Sequence, residues 1–253
     1  MESNRMSTGF DSAQILLRLA PAPAIKPPAD PATDASGHRA RLRQRLVDGG
    51  PDALLDHELV EYLLALAIPR RDTKPMARAL IDEFGGIGPL LSANPGALGR
   101  AGLSDGVVAA LKIAEASALR LLRSRARERP ILSDWQALAD YLHADMAHRA
   151  VERVRVLHLN SKNVLIRDEL VSEGSIDQAA VHVREVIRRA LELHTAALII
   201  VHNHPSGDPQ PSRQDIALTK ELIAAAKPLG ISVHDHIVVG SGGQVSMRAM
   251  GLI

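Results

Sequence analysis

The 253-residue chain contains no cysteine. Disulfides, thiolate metal sites and a cysteine nucleophile are therefore excluded, and any metal must be held by His, Asp, Glu or water. Aromatic residues are almost as scarce, at 2%, so the core implied by a 46% hydrophobic content has to be assembled from Leu, Ile, Val and Ala. Neither sign of charge is in excess. A formal net charge of +1 does not mark a nucleic-acid binder unless basic residues cluster locally. No apolar run approaches the ~20 residues needed to span a bilayer. Residues 1–10 are polar, and the apolar run 15–19 is too short for a signal-peptide core. The expectation is a soluble, cytoplasmic protein of one large or two small domains, with no membrane association.

Proline and alanine dominate residues 20–34 without a hydrophobic period. Residues 1–36 therefore read as a disordered tail that buries too little to order itself. Residues 37–130 read as a run of short helices. Leu42 and Leu46, then Leu59, Leu63 and Leu66, fall at helical spacings. Asp72 or Thr73 caps a helix with Pro75 in its first turn, and Phe84-Gly85-Gly86 ends it. Segments 92–96 and 99–106 read as turns. A long helix over about 107–125 carries Val108, Leu111, Ala114, Ala118 and Leu122 on one face. Its end is basic, with Arg120, Arg123, Arg125, Arg127 and Arg129, and Pro130 stops it. From residue 131 the pattern changes. Ser133 or Asp134 caps a helix to about 144. A strand over 151–159, a turn at 160–163 and a second strand over 164–171 follow. A helix over 184–193 leads to an unbroken apolar strand over 196–201. A helix over 213–227 and strands over 231–239 and 244–247 complete the chain. Alternating strands and helices make residues 131–253 an α/β or α+β domain.

The chemistry gathers where the 196–201 strand ends, in His202-Asn203-His204-Pro205-Ser206-Gly207, followed by Ser212 and Asp215. Strand residues two apart share a face, so two imidazoles leave the strand side by side and can share one cation. Pro205 and Gly207 bend the chain away, while Pro209 and Pro211 stiffen the loop. Ser212 sits at the cap of the next helix and Asp215 in its first turn, so the loop brings Asp215 back to the histidines. Two His and one carboxylate leave the fourth position of tetrahedral zinc open, as in catalytic rather than structural sites. Water in that position has its pKa lowered to about 7. One Zn2+ per chain is the favoured occupant, although Fe(II) takes the same donors. A bare His-x-His is weak in a chain with 11 His. The full string, with Ser and Asp at fixed offsets, is far more specific.

The spacing His202-x-His204, seven residues, Ser212, two residues, Asp215 resembles the JAMM motif of JAB/MPN metalloproteases. The run 202–208, with Pro211-Ser212 and the later Asp235-His236, resembles the bacterial RadC-like branch, over roughly residues 37–253. The resemblance implies an α+β protein. An all-helical, helix-hairpin-helix-like domain over 37–130 would precede an α/β JAB/MPN (cytidine-deaminase-like) domain with a mixed sheet over 131–253. It implies zinc-dependent cleavage of a peptide or isopeptide bond in a peptide or protein substrate. It also implies a glutamate general base at the start of the domain's first strand. Glu152 has that setting. Its rivals are Glu173, which reads as a loop charge, and Glu185, which reads as a first-turn helix carboxylate. Glu152 would take a proton from the attacking water. Ser212 would donate to the developing oxyanion, or serve only as a cap. His236 would orient a ligand or substrate, pair with His234 as a second metal site, or satisfy a local hydrogen bond. Val183 stands where the branch has a proline before Arg184-Glu185, away from the metal residues.

The helix-hairpin-helix resemblance falls on residues 98–111, with Gly102 as the first turn glycine. That fold holds a DNA phosphate on a glycine turn and a helix N-terminus. Here Ser104 stands where a second glycine is typical, and Asp105 places a negative charge beside the phosphate. DNA binding is expected to be weak, and the helices read equally as a protein-docking module. A second class of function stays open: a DNA-associated, repair-linked factor whose metal site is structural or vestigial.

Overall fold

The computed structural model of the chain describes residues 34–128, 130–131, 135–174 and 181–253. The expected tail lies outside these as far as residue 33, as do Arg129 and the two cap candidates Ser133 and Asp134. Residues 34–36, assigned to the tail by composition, instead open the first helix.

Six helices come first: α1 (Asp34–Gly49), α2 (Asp56–Ala67), α3 (Lys74–Phe84), α4 (Ile87–Ser92), α5 (Pro95–Arg100) and α6 (Asp105–Glu128). Leu64, Leu80, Leu90, Leu98 and Leu111 meet in their shared core. On α2 the inward stripe is Val60 and Leu64, whereas Leu66 is 66% exposed. The expected stripe 59/63/66 and the observed one both satisfy helical spacing, and packing chose the second. Segment 92–96, read as a turn, contains the start of α5. Pro95 is preset for a first helical turn, and the Asn94 side chain accepts the Ala97 N–H at 2.8 Å. Gly102 follows with φ +81°, a left-handed conformation suited to glycine, and α6 begins three residues later. At 24 residues, α6 is about 36 Å long. Its Leu111 lies in the helical core, while Leu122 packs against the core of the sheet.

The second half comprises α7 (Trp135–Met146), β1 (Glu152–Leu159), β2 (Leu165–Gly174), α8 (Val183–Glu192), β3 (Ala197–Asn203), α9 (Arg213–Ala226), β4 (Ser232–Gly240) and β5 (Gly243–Ser246). The strands form one sheet in the order β2-β1-β3-β4-β5. β3 and β4 are parallel and the other neighbours antiparallel, so the sheet is mixed. All seven residues of β3 are buried, as its unbroken apolar run requires of a central strand covered on both faces. Leu138, Leu142 and Met146 of α7 cover one face with Leu157, Ile199 and Val201. Val186 of α8 and Leu222 of α9 cover the other with Val156, Leu198 and Ile200. The parallel β3–α9–β4 crossover opens its loop at the carboxyl end of β3, where open sheets hold ligands.

A polar network joins the helices to the sheet. The Tyr141 hydroxyl donates to Asp168 at 2.5 Å, and Arg155 donates to Asp168 at 2.7 Å and to Asp145 at 2.8 Å. Arg149 donates to Glu115 of α6 at 2.9 Å and to the Ser92 carbonyl at 3.2 Å. Arg123 of α6 lies 3.8 Å from Asp168. Burial, followed by the Asp168 charge, raises the Tyr141 pKa above that of a free phenol.

Candidate metal centre

β3 runs two residues further than its apolar run suggests, so His202 lies inside the strand and is almost wholly buried. His204 follows the strand end and is tied to β4 by its N–H, which donates to the Val239 carbonyl at 2.9 Å. The loop then turns at Gly207 with φ +87°. The Gly207 carbonyl accepts the Gly242 N–H at 3.0 Å. A Cβ built on Gly240 would stand 2.2 Å from that carbonyl oxygen, so only glycine admits the loop against the β4–β5 turn. α9 opens with a reciprocal cap. Ser212 Oγ accepts the Asp215 N–H at 3.1 Å, and the Asp215 carboxylate accepts the Ser212 N–H at 2.7 Å. This box orients the Asp215 side chain.

The three expected ligands converge. His202, His204 and Asp215 each offer a ligand atom, all within 4.8 Å of one another; among the described residues this is the one such group. The Nε2 atoms of His202 and His204 are 2.9 Å apart. Asp215 carboxylate oxygens lie 3.4 Å from His202 Nε2 and 3.7 Å from His204 Nε2. Behind the cluster, His202 Nδ1 is 2.7 Å from His236 Nε2, and His204 Nδ1 is 2.8 Å from the Asp208 carbonyl. A carbonyl only accepts, so His204 Nδ1 carries a proton and donates it there. Burial, reinforced by the neighbouring His202, pushes His236 down to about 3.

The three candidate bases separate clearly. Glu152 opens β1, two residues from Val154, which pairs with His202 across the strands. Among the described residues its carboxylate has no hydrogen-bond or ion-pair partner. Glu173 pairs with Arg153 at 2.7 Å, on the other face of β1. Glu185 lies on α8, bound to Arg188 at 2.9 Å. His234 and His236 do not form a second pair. β4 carries one extra residue between Leu198↔Val233 and Ile199↔Asp235, and this bulge breaks the two-residue alternation assumed from sequence. His234 Nε2 instead meets Asn163 at 2.7 Å.

Two supporting residues escaped the sequence reading. Asn203, the middle residue of the His-x-His, accepts the Arg153 N–H at 2.9 Å and donates to the Val151 carbonyl at 3.1 Å. It thereby clamps both peptide groups flanking Glu152. Its place inside the motif was the available signal. Thr219 of α9 is fully buried and lies 2.6 Å from His236 Nδ1; nothing in its local sequence distinguishes it.

Residues 132–252 match the family described as the RadC-like JAB domain. A UPF0758 protein of Rhodobacter capsulatus is 53% identical over 213 residues, which is 84% of this chain and 100% of that protein. A UPF0758 protein of Ruegeria pomeroyi is 48% identical over 217 residues, 85% of this chain and 97% of that protein. With a mixed five-stranded sheet behind a helical bundle and a His/His/Asp cluster at the carboxyl end of its central strand, the chain belongs to the RadC-like JAB/MPN family.

Proposed function

We propose that the protein is a zinc-dependent hydrolase of the JAMM type that cleaves a peptide or isopeptide bond. The observation that carries this reading is the convergence of His202 Nε2, His204 Nε2 and the Asp215 carboxylate on one point. The donor set fits zinc. Zn–N bonds of about 2.0–2.1 Å set tetrahedral neighbours about 3.3 Å apart, and the observed separations of 2.9, 3.4 and 3.7 Å bracket that value. The cluster opens on the His204 side, where that side chain is 20% exposed.

Held by His202, His204 and Asp215, zinc would supply Lewis acidity and a nucleophilic water at neutral pH. The chain's own residues then divide the work. Glu152, whose carboxylate has no partner among the described residues, would take the water's proton and deliver it to the leaving nitrogen. Ser212 Oγ accepts a hydrogen bond as helix cap, which leaves its O–H proton free to donate to the carbonyl oxygen as negative charge develops. Cap and oxyanion donor are thus compatible roles for Ser212. A library of linear and isopeptide-linked substrates, incubated with zinc-loaded protein with and without chelator, tests the reading. Chelator-sensitive cleavage supports it, and an inert zinc-loaded protein overturns it. The DNA-associated alternative draws on the left-handed turn at Gly102 before α6, but Asp105 in the first turn of α6 opposes a phosphate there.

A further inference from the structure

Thr219 Oγ1 has three neighbours: the Asp215 carbonyl at 2.6 Å, His236 Nδ1 at 2.6 Å and Met247 Sδ at 3.8 Å. A hydroxyl has one proton to give. The carbonyl and the thioether can only accept, and the short contact to the carbonyl takes the proton, an ordinary back-bond to the residue four positions earlier in a helix. An Oγ1 lone pair therefore faces His236 Nδ1, and that nitrogen must be the donor. His236 is 1% exposed, and neither of its nitrogens meets a carboxylate. It stays neutral, with a single N–H. Its Nε2 is thus an acceptor, and His202 Nδ1, 2.7 Å away, must donate to it. The proton on His202 is thereby committed to Nδ1, and its Nε2 lone pair is turned into the metal cluster.

We propose that Thr219 and His236 are positioning residues: a one-way hydrogen-bond relay, anchored on the Asp215 main-chain carbonyl, that locks His202 in the tautomer able to bind a metal through Nε2. The proposal rests on the metal-centre reading above and adds its control. The relay runs from α9 through β4 to β3, so the backbone of one ligand, Asp215, sets the protonation of another, His202. Thr219 is fully buried, so its hydroxyl lies out of reach of bulk water. Reversed, the relay would place a proton on His202 Nε2, between the ligands, and turn lone pairs of Thr219 and Asp215 against each other. Partners of this kind typically contribute ~10–100-fold to metal affinity.

Two measurements on the full chain test the relay. The first is ring 15N–1H correlation spectroscopy of the metal-free wild type. It should find a proton on Nδ1 of both His202 and His236; a bare Nδ1 on either ring overturns the relay. The second is zinc affinity, read by competition with a chromophoric chelator. Thr219→Val, which keeps the shape and removes the hydroxyl, should bind zinc ~10–100-fold more weakly, while Thr219→Ser should stay close to wild type. Folded Thr219→Val with wild-type affinity, or Thr219→Ser as weak as Thr219→Val, overturns the relay. Should Thr219→Val fail to fold, the wild-type spectra decide alone. A wild type that binds no zinc overturns the metal-centre reading, and the spectra still decide the direction of the relay.

Discussion

Val154 of β1 stands directly across from His202 of β3. Antiparallel partners share a face of the sheet, so alternation puts Glu152 on the histidine face, two residues nearer the loop that carries His204. The Asn203 amide grips the peptides on either side of it. A carboxylate with no partner among the described residues, on a clamped backbone, suits a proton acceptor.

Replacing that carboxylate isolates its role. Glu152→Gln keeps the shape and the clamp, so zinc content and unfolding midpoint should match wild type. Turnover should fall ~10²–10⁴-fold, the usual cost of removing a general base. If Glu152→Gln remains active while Glu173→Gln or Glu185→Gln is dead, the base has been assigned to the wrong carboxylate.

Metal content provides a separate check. Purified protein should hold about one zinc per chain, as a mononuclear site requires, and His204→Ala should lose most of it. Elemental analysis of the two proteins side by side decides the matter, and equal zinc in both would remove His204 from the ligand set.

His158 predicts how stability responds to acid. Its ring is enclosed under β1, with Nδ1 3.0 Å from Thr195 Oγ1 and Nε2 3.7 Å from Glu169. Burial pushes its pKa down to about 4 from 6.5, against the pull of Glu169. The unfolded chain therefore binds this proton more readily than the folded one. The associated stability is intact above the unfolded value of about 6.5 and is lost as pH falls towards about 4, by on the order of 3 kcal/mol. His158→Gln should flatten the wild-type fall in urea midpoint between pH about 7.5 and about 4.5. Parallel pH profiles for the two proteins would show that His158 is not the group responsible.

Duplex DNA should bind only weakly, with a dissociation constant of ~10⁻⁴–10⁻⁶ M at physiological salt. Asp105 begins α6 behind the Gly102 turn, and Arg123 is drawn towards Asp168; among the described side chains of the basic run, Arg120 and Arg125 are exposed. Fluorescence anisotropy with duplex, forked and single-stranded oligonucleotides at two salt concentrations measures it. Tight, structure-selective binding that survives physiological salt and disappears in Gly102→Pro would make the hairpin a working DNA module.

The ligand cluster was legible because its parts lie close in sequence and follow simple rules. Strand alternation pairs His202 with His204, and a helix cap fixes Asp215. The strand order within the mixed sheet was not legible, since it depends on pairings between distant segments. Thr219 and Asn203 escaped for a similar reason: their partners lie 17 and about 50 residues away. The His234–His236 pair failed because a single bulge residue in β4 cancels the periodicity on which it rested. On α2, Leu66 and Leu64 obey the same spacing equally well, and only the neighbouring helices distinguish them.

The family match opens at residue 132, yet side-chain contacts cross that point. Arg149, beyond that point, is held by Glu115 and by the Ser92 carbonyl, both before it. Arg123 reaches across to Asp168 in the same way. A piece cut at residue 132 would part Arg149 from Glu115 of α6, and would bare the apolar surface on which Leu122 rests. The relatives match across both halves, and α6 is the element that contacts both cores. A transplant of the metal centre into another protein has to take that helix with it.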